Sequence, residues 1–358
     1  MELIIFFFLK VFLFFFFVMK ESNNNKYLLE CLNKNSIINE LISMKKSIYL
    51  SATISDIAVF NSGNIICATF DGFFLIYNTN FEIIQNQKIE KIEDQIYSIG
   101  IKSESVIYFG YQKGDIEIWI INHENFLFEK KKEINCHKGI IYKLLLFQEY
   151  FFTCSNDNTI KKWDIKNNYC VCELNQKNNY LHGEIYSIIY NTQLKILVSS
   201  GNNGTFIFYE DDNEKFEKLT NEEINKMEIS FKSSLQLFDE NNNFVKIIIG
   251  NKIIIIFSIS KQLKIQINYR IKNIDYVCLS ICVLKFEEKI IFLTSEMKND
   301  DNEEHKIKFY QKSGKEYLIY KERESHKKNI TGIIEYPNII NTYISFSNDN
   351  YIKIWGLN

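Results

Sequence analysis

Of the 42 lysines and arginines in this chain only two, Arg270 and Arg323, are arginine. The planar fork that grips a phosphate through two parallel N–H groups is therefore almost absent. A formal net charge of −2 leaves no electrostatic case for nucleic acid. The signatures of catalysis are missing too, with no glycine-rich phosphate loop, no nucleophile elbow and no paired-histidine metal motif. Eight cysteines are present, but neither close pair, Cys170 with Cys172 or Cys278 with Cys282, has a second pair at zinc-ribbon distance. Packed, reduced thiols follow, which favours a cytoplasmic compartment. No metal and no cofactor is implied, and the chain is expected not to be an enzyme.

What the chain does have is a repeat, within a composition apolar enough to fill a core (46% hydrophobic, 15% aromatic). Its fullest copy runs from His137 to Asp164. An apolar run, Ile140 to Phe147, is followed by a polar break and a β-prone run, Tyr150 to Ser155. A tight turn at Asn156, Asp157 and Asn158 then leads into Thr159 to Trp163, so the copy reads as three short strands in hairpin succession. The interval from turn residue to closing aromatic recurs at Asp71 to Tyr77, Lys113 to Trp119, Asn203 to Tyr209, Asn251 to Phe257 and Asp349 to Trp355, with a degenerate copy at Glu304 to Tyr310. Successive closing aromatics lie between 42 residues (Tyr77 to Trp119) and 53 residues (Phe257 to Tyr310) apart.

These copies resemble the WD repeat, with His137 at its Gly-His position, Asp157 in the turn, and Trp163 and Asp164 as the signature dipeptide. The resemblance implies an all-β, seven-bladed WD-repeat β-propeller over residues 47–358. After Trp355 too few residues remain for a fourth, outer strand, and Ser47 to Ile54 is the natural donor that closes the ring from the N-terminal side. It also implies hydrogen-bonded sets through His137, Thr153 or Ser155, Asp157 and Trp163, and through His326, Ser345 or Ser347, Asp349 and Trp355. A buried indole N–H needs such an acceptor. The other copies depart from the pattern: the second has Glu93 where His is expected, the fourth keeps His182 but has Asn203 and Tyr209, and the fifth and sixth keep spacing and apolar content alone.

Function is expected from the same resemblance. Members of this family act mostly as non-catalytic scaffolds that dock partner peptides or domains on the loop face. The contact positions are the second residue of each inner strand (Ser55, Tyr97, Tyr142, Tyr186, Thr331) and the residue before each turn (Phe70, Gln112, Asn156, Asn202, Asn348). Tyrosine suits such a place, because it buries a large ring and keeps a polar tip. An acidic insertion carrying Asp300, Asp301, Glu303 and Glu304 is expected to overhang that face and to suit a basic partner segment. The paired basic signature of phosphoinositide-binding propellers, Phe-Arg-Arg-Gly, is absent.

Ahead of the repeats the chain divides into a hydrophobic segment, 1–20, and a linker with a short amphipathic helix, 21–46. Leu3 to Met19 is apolar except for Lys10. It reads as an uncleaved signal or anchor, as a hydrophobic tail, or as AT-rich sequence translated upstream of the true start. A propeller tethered to a membrane by residues 3–19 is thus the alternative to a cytoplasmic one. A propeller-based hydrolase, needing an acidic or histidine cluster in the central channel, is the third reading.

Overall fold

The computed structural model describes residues 42–357 apart from 89–93, 123–126, 176–182, 202–205, 213–214, 220–233, 242–243, 251–252, 261, 263, 272–276, 287–288, 298–304, 314–315, 338 and 340, and only the backbone of those described between 206 and 250. Residues 44 to 356 form one compact unit. Of the other unit, Met1–Ser43 with Leu357 and Asn358, only Ile42, Ser43 and Leu357 are described. The hydrophobic segment 1–20 and most of the expected helix therefore lie outside the described residues.

All described secondary structure is extended, in 28 strands arranged as seven antiparallel sheets of four. Short runs of β-branched and aromatic residues separated by tight turns make this the natural outcome. The turn between second and third strands needs a left-handed backbone at its third residue. In the four such turns that are described, glycine or asparagine supplies it: Gly72 (φ 79), Gly114 (φ 94), Asn158 (φ 68) and Asn350 (φ 67). All four strands are described with side chains in five of the sheets; in the two sheets between Ile185 and Ile271, side chains are described for two strands each.

The first strands of the sheets stand side by side in sequence order. Ile54–Val59 lies beside Ile96–Ser103, followed by Ile141–Leu146, Ile185–Asn191, Ser234–Asn241, Val277–Phe286 and Ile330–Glu335, and this last lies beside Ile54–Val59 again. Apolar clusters fill the space between neighbours. Ile66 and Phe74 of the first sheet pack with Ile99, Phe109 and Trp119 of the second, and Ile344 and Phe346 of the last pack with Ile57, Ile65 and Tyr77 of the first. The second strands are accordingly buried on both faces, as in Ile65–Thr69 and Tyr343–Ser347, while an outer strand such as Leu127–Asn135 is mostly exposed.

Two irregularities repeat. The outer strand carries a bulge, one residue skipped in the pairing beside the closing aromatic of the third strand, at Ile84, Lys131, Val171, Asn268 and Tyr320. The aromatic stacks on the second-strand residue opposite it, as Trp163 does on Phe151 (centroids 5.8 Å, 8° between planes) and Tyr310 on Phe292 (4.7 Å, 4°). The second bulge lies in the inner strands and bears on the site.

The last sheet takes its fourth strand from the N-terminal side, as Ile42–Tyr49 beside Tyr351–Leu357. This corrects the expected donor, Ser47 to Ile54, by five residues, and residues 42–46 are extended where the end of a helix was expected. The open edge of Tyr351–Leu357 offers a row of backbone partners, which outweighs a weak local helical pattern.

Candidate functional site

In the third sheet the expected hydrogen-bonding residues meet. Trp163 donates its indole N–H to Thr153 Oγ1 at 3.1 Å, and Thr153 Oγ1 lies 2.7 Å from His137 Nε2. His137 Nδ1 lies 3.0 Å from Asp157 Oδ2. A carboxylate only accepts, so Nδ1 carries the proton and Nε2 accepts from the threonine. Asp157 also accepts the Lys138 N–H at 3.0 Å, which fixes the loop leading into the sheet. Ser155 has a different task, donating to the Gly139 carbonyl at 3.2 Å.

The last sheet repeats every element of this with Trp355 to Ser345 (2.9 Å), Ser345 to His326 (2.8 Å), His326 to Asp349 (3.1 Å), the Lys327 N–H to Asp349 (2.9 Å) and Ser347 to the Lys328 carbonyl (3.0 Å). Burial pushes both imidazoles below the usual histidine range, against the pull of their aspartates. Burial raises the Asp349 carboxyl, but the His326 hydrogen bond and the backbone N–H groups of Lys327 and Tyr351 outweigh it and bring it to about 2. The same balance lowers Asp157 further.

Sequence reasoning missed the arrangement in the second sheet. Trp119 donates to Glu117 Oε2 at 2.9 Å, Tyr111 donates to the same oxygen at 2.7 Å, and Lys130 of the outer strand pairs with Oε1 at 3.1 Å. The third sheet has the opposite polarity at the same position, where Lys161 pairs with Glu173 of its outer strand at 3.3 Å. A charged residue two before the closing aromatic was the available signal.

The inner-strand bulges build the second feature. Register slips between Ile54 and Asp56, Ile96 and Ser98, Ile141 and Lys143, Ile185 and Ser187, and Ile330 and Gly332. The residues skipped are Ser55, Tyr97, Tyr142, Tyr186 and Thr331, the expected contact positions. A bulge re-aims the side chain it carries, and all five line one cavity of about 480 Å³ enclosed by the inner strands. Phe70, Tyr97, Tyr142 and Tyr186 pack edge to face in a row, with centroids 5.1, 6.0 and 5.0 Å apart. Tyr97 donates to Gln95 Oε1 at 3.3 Å and Tyr186 to Glu184 Oε2 at 2.6 Å. Burial raises the Tyr97 hydroxyl, and burial with Glu184 raises Tyr142 to about 12, so both stay neutral donors.

Residues at or just after these inner-strand irregularities tie sheets together. Asp56 Oδ2 accepts the Ile99 N–H at 2.8 Å, Ser98 donates to the Ile141 carbonyl at 2.9 Å, and Ser280 accepts the Ile333 N–H at 2.9 Å. Burial raises the Asp56 carboxyl, and Lys143, which also lines the cavity, pulls it down.

Phe70, Gln112, Asn156 and Asn348 each donate a backbone N–H to the residue that precedes the inner strand, at Thr53, Gln95, Ile140 and Asn329. They thus share one end of their sheets, yet of the four only Phe70 lines the cavity. Asn202, the acidic residues Asp300, Asp301, Glu303 and Glu304, and His182 lie outside the described residues. Among the described residues no cluster of three or more His, Cys, Asp or Glu suits a metal ion, and no helix is long and apolar enough to cross a membrane.

Residues 128–164, the outer strand of the second sheet and the first three strands of the third, match the family model described as WD domain, G-beta repeat. The chain also superposes on a chain in the crystal structure of mitotic checkpoint complex with a TM-score of 0.70, covering 88% of this chain and 91% of that one. The chain has a β-propeller fold, and one stretch of it is similar to a WD repeat. At 13% identity the second likeness is one of fold. A comparison with curated proteins finds no match. Within the propeller, the family match covers the blade whose His137, Thr153, Asp157 and Trp163 are joined by hydrogen bonds.

Proposed function

We propose that this propeller is a non-catalytic scaffold subunit of a protein complex, docking partner peptides or domains at the mouth of its central channel. Its seven sheets are taken to close as a single seven-bladed ring. The observation that carries the reading is the set of inner-strand bulges, which turn Ser55, Tyr97, Tyr142, Tyr186 and Thr331 toward one cavity beside Phe70. A rigid surface of this kind binds with little ordering cost on its own side. The solved complex it resembles in fold is a multiprotein assembly, which supports protein partners. The cytoplasm is the proposed compartment. Thiols such as Cys67, Cys136, Cys154, Cys278 and Cys282 are free and buried, in keeping with a reducing environment.

The test is affinity purification of the tagged full chain with mass spectrometry, beside a Tyr97→Ala, Tyr142→Ala, Tyr186→Ala variant checked for folding. Specific partners that disappear in the variant are the expected result. Partners retained by a folded variant would remove this face from the proposal, and the absence of any reproducible partner would remove the scaffold itself.

A further inference from the structure

Two opposite charges line the channel on either side of the second inner strand. Among the described residues of the cavity wall, Asp56 of the first inner strand and Lys143 of the third are the charged ones, and both are partly exposed. The Asp56 carboxyl is fixed in place, its Oδ1 accepting the Ile57 N–H at 2.9 Å and its Oδ2 the Ile99 N–H at 2.8 Å. A carboxylate oxygen has two lone pairs, so each keeps one free. Lys143 pulls this carboxyl down against the burial that raises it, which places the ammonium within reach of its field. Yet no ion pair joins the two, and the ammonium has no hydrogen-bond partner among the described residues.

Ser55 Oγ, next to Asp56 in the chain, is buried with no hydrogen-bond partner among the described residues. The rest of the wall is aromatic at the mouth, with Tyr97, Tyr142 and Tyr186, and aliphatic further along the inner strands, with Leu145 and Ile189. A volume of about 480 Å³ falls within the roughly 300–1,000 Å³ of ligand-sized pockets. The two charges of the described wall cancel. A ligand of one sign is therefore attracted by one residue and repelled by the other, whereas a molecule that carries both signs satisfies both. These charges stand on inner strands, inside the cavity, whatever the surrounding loops carry. An α-amino acid holds an ammonium and a carboxylate on one carbon, and an aromatic side chain suits a wall of edge-to-face rings.

We infer that the channel cavity binds a free α-amino acid with an aromatic side chain, its carboxylate on Lys143, its ammonium on Asp56 and Ser55 Oγ, and its ring against Tyr97 and Tyr142. This goes beyond the docking role above and stands without it.

The probe is the set of free L-amino acids, titrated one at a time into the full-length protein by isothermal titration calorimetry. Binding of L-phenylalanine, L-tyrosine or L-tryptophan is expected, ahead of the acidic, basic and small amino acids. The N-acetyl derivative of the best binder lacks the cation and its carboxamide lacks the anion; each should bind the native protein about tenfold or more weakly. Lys143→Met should weaken the free amino acid by a similar factor, with thermal melting to check that the variant folds, while the two blocked derivatives need no variant at all. No binding by any amino acid, a preference for acidic or basic ones, blocked derivatives that bind equally well, or a folded Lys143→Met variant of native affinity would overturn the inference. None of these outcomes touches the partner purification above, so the scaffold role stands or falls separately.

Discussion

Trp119 donates its indole N–H to the Glu117 carboxylate at 2.9 Å, where the third and last sheets use a hydroxyl backed by histidine. The same closing aromatic is thus satisfied by two different chemistries within one chain. Glu117 is fully buried and holds Trp119, Tyr111 and Lys130 together.

Glu117→Ala removes the buried acceptor that Trp119 and Tyr111 share and is expected to destabilise the propeller by about 2–4 kcal/mol. Lys130 is 42% exposed, so Lys130→Met should cost about 1 kcal/mol or less. Urea unfolding of both variants checks the order; equal losses would show that the ion pair, and not the buried donors, sets the cost.

Thr153→Val keeps the shape of the side chain and removes the oxygen shared by His137 and Trp163. A loss of about 2–3 kcal/mol is expected. Thr153→Ser should cost under about 1 kcal/mol, because the last sheet uses Ser345 in the equivalent place. Unfolding curves that rank serine with valine would contradict the network.

Much of this was legible in the sequence because the turn-to-aromatic interval is a geometric constant. Asp157 and Trp163 must sit six positions apart to meet one histidine and one threonine. The equivalence of Ser55, Tyr97, Tyr142, Tyr186 and Thr331 was legible for a similar reason, since in their five sheets the bulge falls at the second residue of the inner strand. Glu117 was not legible, because its role depends on Lys130 and Tyr111 arriving from other strands. Nor was the division of labour between Thr153 and Ser155, two residues apart on one strand and so facing the same side. The donor strand at Ile42–Tyr49 was misplaced because the partner that makes it a strand is at the other end of the chain.

Gly114 joins two blades. It has a φ of 94°, and its carbonyl accepts the N–H groups of Cys136 and His137 at 3.1 and 2.8 Å. A Cβ there would stand 2.2 Å from the His137 carbonyl oxygen. Gly114→Ala is therefore expected to cost about 2–3 kcal/mol, from left-handed strain and a backbone clash together. Thermal unfolding measures it, and a wild-type melting point would show that the junction yields freely.

Stability should fall on mild acidification. His137 and His326 have folded values below the unfolded one near ~6.5, so the unfolded chain binds more protons as pH drops through that value. Their contribution is complete above ~6.5 and declines below it. The depressed Asp157 and Asp349 add a second decline below the unfolded carboxylate value near ~3.9. Asp56, raised by burial, opposes this in the region above ~3.9. Urea midpoints should drop between pH ~7.5 and ~5.5 in the native protein, and a His137→Gln plus His326→Gln variant should show a flatter profile. A native profile with no slope in that window would contradict the neutral, buried imidazoles.

The most direct measurement places a photo-cross-linking amino acid at Tyr142, in the wall of the channel mouth, and in a second strain at Leu127 on an outer strand. The docking account expects partner adducts from position 142 and few from 127. Adducts confined to 127, or equal at both positions, would contradict it.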